Sequence, residues 1–447
     1  MDNDILNSPR TPRLGLTMRL TLRLAALALV TSCGGLSAAD LDGPPIKYAT
    51  ADADNVVTAL QAKLKAKTAT LKPDDEFGYL KAVLKAFDVP ESSQVLVFSK
   101  TSLQRSRIGP KTPRAIYFND AVTVGFCRGG EVVEVAATDP HLGTVFYTLD
   151  QDTTAAPRFT RQTENCLICH GSSRNQGFPG HLIRSVSADG KGEMVLSRGS
   201  KTVDHSTPFE ERWGGWYVTG TSGKQTHQGN QVVGGWNWAE KDDQPANENV
   251  TDLKRYFTAA NYLTPHSDLV ALMVLEHQGE VQNRLTRANF LTRQALHEQA
   301  ELNKAFGDPK GMQRESITRR IQAACEPAVR YLLFCEEAKL TEAVAGTSDF
   351  AKGFAVRGPF DTKKRSLREF DLTTRMFKYP LSYLIYSEQF DKLPAEAKER
   401  IYLRLWEVLT GKDTSKEFAH LSDDDRAAVL GILRDTKPGL PAYWTEK

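Results

Sequence analysis

The chain has 447 residues, and its 57 lysines and arginines nearly balance its 55 aspartates and glutamates, so the formal net charge is +2. Because no long run of one charge occurs, an extended nucleic-acid-binding surface is excluded and no nucleic-acid partner is expected. The length is sufficient for two domains of ordinary size.

The first recognisable pattern lies near the N-terminus. Met18 is the expected start of translation, because two arginines and then the apolar run 24–30 follow it. Small residues up to Ala39 complete a pattern typical of signal-peptide cleavage. The apolar run is far shorter than the ~20 residues that a membrane-spanning helix needs. Residues 1–39 are therefore predicted to be a signal peptide that directs export to the periplasm or the outer surface.

A second interpretation of the same segment stays open. The stretch "VTSC" ends at Cys33 and resembles the box of bacterial lipoproteins, in which this cysteine carries the lipid. Under that interpretation the exported chain is anchored to a membrane through Cys33. Under the first interpretation Cys33 is removed with the signal peptide.

Two short helices and then a series of strands are predicted next. Apolar residues recur at helical spacing over 56–68 and again over 76–87. From there the pattern changes to short runs rich in Val, Phe and Tyr that are separated by turn residues, which is typical of strands. These runs are "QVLVFS", "RAIYFN", "AVTVGFC", "EVVEVAA" and "GTVFYTL".

The motif "NCLICHGSS" follows the strands and places Cys166, Cys169 and His170 in the C-x-x-C-H pattern of covalent haem attachment. Two thiols at this spacing can form thioethers with the haem vinyl groups, and the next residue, His170, is then the proximal iron ligand. Random placement of the chain's six cysteines and nine histidines gives this pattern only about 0.002 times. The sequence therefore predicts one covalent haem c, with iron.

Other uses of the two cysteines are less consistent with their surroundings. A redox dithiol is expected in a βαβ context with its first cysteine at the start of a helix, whereas polar loops flank Cys166 and Cys169 here. A zinc site needs a second Cys/His pair at compatible spacing, and Cys127, Cys325 and Cys335 do not form one. A disulfide between Cys325 and Cys335 is not expected, because ten helical residues span ~15 Å. Pairing of Cys127 with either remains open.

In its attachment motif the chain resembles c-type cytochromes. The stretches "ERWGGWYVTG" and "FKYPLSYLIYS" are in addition similar to those of exported bacterial proteins with a single haem site, and this resemblance covers most of the chain beyond the signal. It implies a cytochrome c domain but no particular reaction. The chain is longer than a small soluble cytochrome c and lacks the Met-bearing C-terminal loop expected of one.

After the motif, short strands are predicted in "HLIRSVS", "EMVLS", "WGGWYVTG" and "NQVVGGWNW". A polar segment over 240–252 then predicts a domain boundary. Beyond it the pattern is helical, with a long helix capped by Ser267 and reaching about Phe306, and further helices over 313–338, 366–389, 393–410 and 422–435. The predicted class is α+β: a β-rich haem-bearing region, 40–245, followed by an all-α region, 246–447.

The distal ligand of the iron is the least determined element of the predicted site. His181, His205 and His227 lie in predicted loops or at a strand start, at positions that also carry histidine in the resembling proteins. His227, in the Gly-rich turn "SGKQTHQGN", is the preferred candidate. Met194 has no counterpart in those proteins, and His277 falls on the apolar stripe of a helix, which favours a core histidine. One of three arginines near the motif is expected to pair with a haem propionate: Arg161, Arg174 and Arg184.

Three functions follow from these patterns. The first is one-electron transfer to a redox partner protein by a single-haem cytochrome. The second is a haem enzyme or small-ligand sensor with an open iron face, acting on peroxide or nitrogen oxides. The third is a binding module whose helical region docks onto a larger complex. A sixth ligand favours the first function, an open face beside a polar side chain favours the second, and a large apolar patch favours the third.

Overall fold

The computed structural model describes residues 41–234, 247–309 and 311–444. The predicted signal peptide, Cys33, and the aromatic residues Trp236 and Trp238 lie outside these ranges. The described residues belong to one compact unit, and the boundary predicted after residue 245 lies within it. No helix in the described ranges is both long and apolar enough to cross a membrane.

The first half of the described chain forms most of the strands, and the second half is mainly helical. The helices are α1 Val56–Lys65, α2 Leu80–Ala86, α3 Leu167–His170, α4 Leu269–Phe306, α5 Glu315–Leu332, α6 Phe350–Ala355, α7 Glu388–Asp391, α8 Ala395–Leu409 and α9 Asp423–Thr436. The strands are β1 Val95–Val97, β2 Arg114–Phe118, β3 Val122–Phe126, β4 Val132–Asp139, β5 Gly143–Asp150, β6 Phe159–Gln162, β7 Arg184–Val186, β8 Ser200–Thr202, β9 Trp216–Tyr217, β10 Gly220–Thr221 and β11 Ala345–Gly346.

An antiparallel sheet of seven strands, in the order β6-β5-β4-β3-β2-β1-β9, forms the centre of the first half. The five runs of β-forming residues predicted before the motif are all strands of this sheet. The α+β class is therefore confirmed. The helical half is not entirely helical, because β11 pairs with β10.

The two faces of the sheet have different surroundings. In β4 the odd-numbered residues Val133, Val135 and Ala137 are buried against α1 and α2 in one apolar core. The opposite face joins the core of the helices at its β1–β2 end. At the β4 end, Glu134 and Ala136 on this opposite face are only half-buried. The predicted haem motif lies beside this open part of the face.

The helical half is organised around α4, whose 38 residues run from the sheet to α5 and α8. Its N-cap is Asp268, which accepts hydrogen bonds from Val270 and Ala271, whereas the predicted cap, Ser267, lies one residue earlier. The Ser267 hydroxyl instead donates to the carbonyl of Tyr217 at 2.6 Å and accepts the amide of Leu96 at 2.8 Å. It therefore joins β1 and β9, a role that local sequence does not indicate.

Two predicted elements are wrong. The helix expected over 366–389 is irregular up to a 3-10 turn at Tyr383–Tyr386 and the short α7, because Pro380 disfavours helical backbone at the residue before it. The strand expected in "EMVLS" is a single bridge between Ala188 and Met194 followed by a 3-10 turn. The helices predicted over 393–410 and 422–435 are confirmed as α8 and α9, and Ser422 caps α9 with Asp425 in a capping box.

Candidate functional site

The motif forms one helical turn, α3, at the open face of the sheet. The amide of His170 donates to the carbonyl of Cys166 at 2.9 Å, which closes the turn. Leu167 packs against the apolar core of the sheet and anchors the turn there. Cys166 is half-buried and Cys169 is exposed, whereas the other described cysteines, Cys127, Cys325 and Cys335, are buried. Among the described residues, only the motif thus presents two accessible thiols on one turn.

The hydrogen bonding of His170 defines its tautomer. Its Nδ1 lies 2.9 Å from the carbonyl oxygen of Gly180. A carbonyl only accepts, so Nδ1 carries the proton and donates. Burial lowers the pKa of His170, which keeps the ring neutral and leaves a lone pair on Nε2. Among the described residues no group bonds to Nε2. A metal-binding imidazole has this arrangement, with one nitrogen held by an outer acceptor and the other free.

A half-buried ion pair from the sheet lies beside the motif. Arg114 on β2 contacts Glu134 on β4 at 2.5 Å, and Glu134 also accepts the hydroxyl of Ser102 at 2.9 Å. A side chain on Gly125, the strand residue opposite Glu134, would overlap the Arg114 guanidinium. Both charged groups act on His170 and on Cys166. Burial, reinforced by Glu134, raises the pKa of Cys166 to about 11.

An exposed apolar side chain and two cations belong to the motif or lie near it. Ile168 on the motif turn is 74% exposed, and Leu196, four residues before Ser200, is 81% exposed. Arg174 and Arg184 both donate to the hydroxyl of Ser200, at 3.2 and 2.6 Å. Arg184 also interacts electrostatically with Cys169. An apolar ring with two carboxylates would match this combination of residues.

Arg161, the third predicted propionate partner, has a different role. It donates to the carbonyls of Tyr48 and Ala51, and its guanidinium lies 5.2 Å from the Tyr48 ring centroid. It therefore holds the N-terminal segment against β6.

His181 lies next to His170 but on the side of the ring that Gly180 occupies. Its peptide directly follows the carbonyl that accepts from Nδ1. Burial, with a smaller contribution from His170, lowers the pKa of His181 to about 4. The backbone of His181 thus lies on the Nδ1 side of the His170 ring, whereas a group bound at Nε2 would approach from the opposite side.

The structure does not bring His205 or His227 to the motif. His205 lies in the helical core, with its Nδ1 2.9 Å from Nδ1 of His277 and its ring stacked on Tyr331 at 3.8 Å. His277 is fully buried on α4, which confirms the predicted core histidine.

His227 packs 5.4 Å from the Trp213 ring, and its Nδ1 accepts the amide of Gly229 at 3.0 Å. The neutral ring of His227 therefore carries its proton on Nε2, which is the reverse of His170. No interaction between His227 and His170 occurs in the described ranges. Its assignment as the distal ligand stays a prediction.

Three residues at the site were not identified from the sequence: Arg114, Glu134 and Gly180. The strand pattern placed Arg114 and Glu134 in β2 and β4, but it carried no signal that they meet beside a motif that begins 32 residues after Glu134. The glycines near the motif predicted turns, but they gave no indication that the Gly180 carbonyl would accept a hydrogen bond from His170. In the described ranges, no three or more His, Cys, Asp or Glu side chains are grouped to hold a metal ion. A haem needs no such group, since the macrocycle itself supplies four of the iron ligands.

No family model, curated protein or solved structure matches this chain.

Proposed function

We propose that the chain is an exported single-haem c-type cytochrome that transfers one electron to or from a partner protein. Cys166 and Cys169 would hold the haem through thioethers, and His170 would be the proximal ligand of the iron. The observation that carries this proposal is the tautomer of His170. Its Nδ1–H is donated to Gly180 at 2.9 Å, so Nε2 offers a lone pair beside two accessible thiols.

The residues around the motif fit this cofactor. Ile168 and Leu196 provide exposed apolar contacts, and Arg174 and Arg184 provide cations for the propionates. Haem c supplies one reversible electron at its iron. The protein's own contribution is to orient the imidazole through Gly180 and to place the half-buried pair Arg114–Glu134 within electrostatic range of it. Fixed charges at this range bias the charge state of an iron centre.

Export is part of the proposal, because thioether attachment to haem takes place outside the cytoplasm in bacteria that carry such leaders. The predicted signal peptide over 1–39 supports it. Lipid attachment at Cys33 would add membrane association, and the mass of the mature N-terminus distinguishes the two forms.

Covalent attachment is the direct test. The full chain, produced in cells that mature c-type cytochromes, is denatured, extracted with acidified acetone and separated on a gel. We expect the wild type to keep its haem colour and Cys166→Ser and Cys169→Ser each to weaken or lose it. Cys325→Ser, at a cysteine buried in the helical core, is the matched control and should keep the colour. Complete extraction of the pigment from the wild type, or no pigment at all, would refute the proposal.

A haem enzyme or small-ligand sensor is the second candidate, and the positions of the histidines favour it over a bis-histidine cytochrome. His205 and His227 lie away from the motif, while Arg114 and Glu134 are polar groups close to His170. An iron with an open face would bind carbon monoxide rapidly when reduced. Rapid binding would move the assignment to this second function, whereas slow or absent binding would retain electron transfer.

A further inference from the structure

The acceptor of the proximal histidine is held in place from two directions. Gly180 accepts from His170 Nδ1 at 2.9 Å, and its own amide donates to the His170 carbonyl at 3.2 Å. Asn175 donates to the carbonyls of His170 and Phe178, at 3.2 and 2.8 Å. A side chain at position 180 would overlap the amide groups of both Asn175 and Asn283. The peptide after Gly180 therefore runs in a narrow space between two asparagine side chains.

Asn283 comes from the middle of α4, in the helical half of the chain. Its Oδ1 accepts the amide of His181 at 2.8 Å, and its Nδ2 donates to the His181 carbonyl at 2.9 Å. Nδ2 also donates to Glu280 at 3.1 Å, and Glu280 is itself paired with Arg284 at 2.9 Å. All three partners fit one orientation of the Asn283 amide. The reversed amide would place its oxygen against two acceptors.

The distance between α4 and this segment is equally constrained. A side chain on Gly279, one helical turn before Asn283, would lie 2.9 Å from the Ile183 side chain and 3.1 Å from Cβ of His181. The helix and the segment 180–183 therefore touch along a full turn. Because α4 is also the centre of the helical core, the position of the His181 peptide is tied to the whole second half of the molecule.

We infer that Asn283 is a positioning residue for the proximal ligand: it holds the Gly180–His181 peptide so that the Gly180 carbonyl stays aligned with His170 Nδ1. This inference rests on the proposed function for its redox consequence, but its structural part does not. An outer hydrogen bond of this kind raises the basicity of a ligating imidazole, and a more basic ligand favours ferric iron. Loosening the peptide should therefore shift the equilibrium toward ferrous iron.

The test compares Asn283→Ala with Asn289→Ala in the full chain. Asn289 lies on the same helix and donates to the carbonyl of Pro140 at 2.7 Å, so its loss removes a hydrogen bond from α4 to a loop that does not belong to the motif. We expect Asn283→Ala to raise the midpoint potential, with about a tenfold change in the ferrous-to-ferric ratio at fixed potential, or about 59 mV. Asn289→Ala should leave the potential unchanged. Asn283→Ser is the milder variant if Asn283→Ala is not recovered folded.

A second readout separates this inference from the proposed function. Nitrogen NMR of protein made without haem maturation reports which nitrogen of His170 carries the proton. The wild type and Asn289→Ala should show the Nδ1–H tautomer, and the Asn283 variants should show a mixture. If no variant, wild type included, ever carries haem, the proposed function fails while this tautomer test still stands. If potential and tautomer are the same in the Asn283 and Asn289 variants, the positioning role is refuted.

Discussion

The motif histidine and the buried histidine pair show opposite uses of the same side chain. His170 donates its Nδ1–H to the Gly180 carbonyl and leaves Nε2, at the open face of the sheet, without a hydrogen-bond partner among the described residues. His205 and His277 face each other through their Nδ1 atoms at 2.9 Å, and His277 bonds through Nε2 to Ser382 at 2.8 Å. Burial lowers the pKa of all three. What distinguishes the candidate ligand from the buried pair is therefore access to the ring and not the charge state, since His170 is half-buried whereas His205 and His277 are fully buried.

The surroundings of the two regions differ in the same way. Near the motif, the apolar residues Ile168 and Leu196 are exposed. Around the buried pair, aromatic rings fill the space, with Phe334 stacked 4.4 Å from His277. Arg212 and Glu276 form a buried ion pair close by, at 3.3 Å. The motif region leaves apolar side chains and thiols accessible, whereas protein side chains fill the space around the buried pair.

The largest expected effect is on the stability of the buried region around His205 and His277. Arg212→Met removes the donor to the carbonyls of Thr207 and His205, at 2.8 and 2.9 Å, and the partner of Glu276. We expect the free energy of unfolding to fall by about 3–5 kcal/mol, measured by urea denaturation. Arg319→Met, in an exposed pair with Glu315, should change it by less than about 1 kcal/mol. Equal effects of the two variants would show that the buried pair contributes no more to the free energy of unfolding than the exposed pair.

The second prediction compares the loss of a buried histidine with the loss of the motif histidine. His277→Ala empties a buried site lined by Phe334 and leaves the partners His205 and Ser382 unpaired. It should lower the free energy of unfolding by about 2–4 kcal/mol and leave the haem spectrum unchanged.

His170→Ala should have the opposite pattern. The free energy of unfolding should fall by only about 1 kcal/mol, because one hydrogen bond is lost, whereas the spectral features of iron ligation should disappear. A change in the haem spectrum of His277→Ala, or an unchanged spectrum of His170→Ala, would contradict the distinction between the two histidines.

The third prediction concerns acid stability and the distal ligand. Burial lowers the pKa of His227 to about 4, below its unfolded value, so the folded state binds fewer protons. The stabilisation from this group is present above pH ~6.5 and is lost as the pH falls toward 4, by up to about 3 kcal/mol. His227→Gln should flatten this acid decline in urea titrations at several pH values.

The same His227→Gln variant should keep the wild-type haem spectrum, because the proton on Nε2 leaves no lone pair for the iron. A high-spin spectrum that appears only in the variant would instead establish His227 as the distal ligand. His141→Gln, at an exposed histidine in the β4–β5 turn, is the control for the loss of a histidine as such.

The smallest expected effect is a difference in alkylation rate between the buried cysteines and the exposed one. Burial raises the pKa of Cys127, Cys325 and Cys335 to about 12, so these thiols should be alkylated very slowly in folded protein. Cys169 is exposed and should react first in protein made without haem maturation. Mass spectrometry of peptides after brief alkylation measures the order. In haem-loaded protein both motif cysteines should be blocked, and fast labelling of Cys325 would show that the helical core opens readily.

Local sequence was sufficient for much of the architecture and for the attachment motif. The five strands before the motif, α4, α8, α9 and the core position of His277 all follow from periodicity and capping residues within one segment. The helix predicted over 366–389 is wrong, because Pro380 disfavours helical backbone at the residue before it.

The sequence by itself determined that Cys166, Cys169 and His170 stand at the spacing of a haem site, because that spacing is a property of neighbouring residues. Only the tertiary structure decided which nitrogen of His170 is free and where the other histidines lie. The Gly180 carbonyl holds Nδ1, Asn283 holds the peptide of Gly180 from a helix 102 residues beyond His181, and Gly229 holds the reverse tautomer in His227. A tautomer depends on the hydrogen-bond partner that the folded backbone brings to the ring. No local pattern encodes the part that Asn283 plays, because it lies 102 residues from His181.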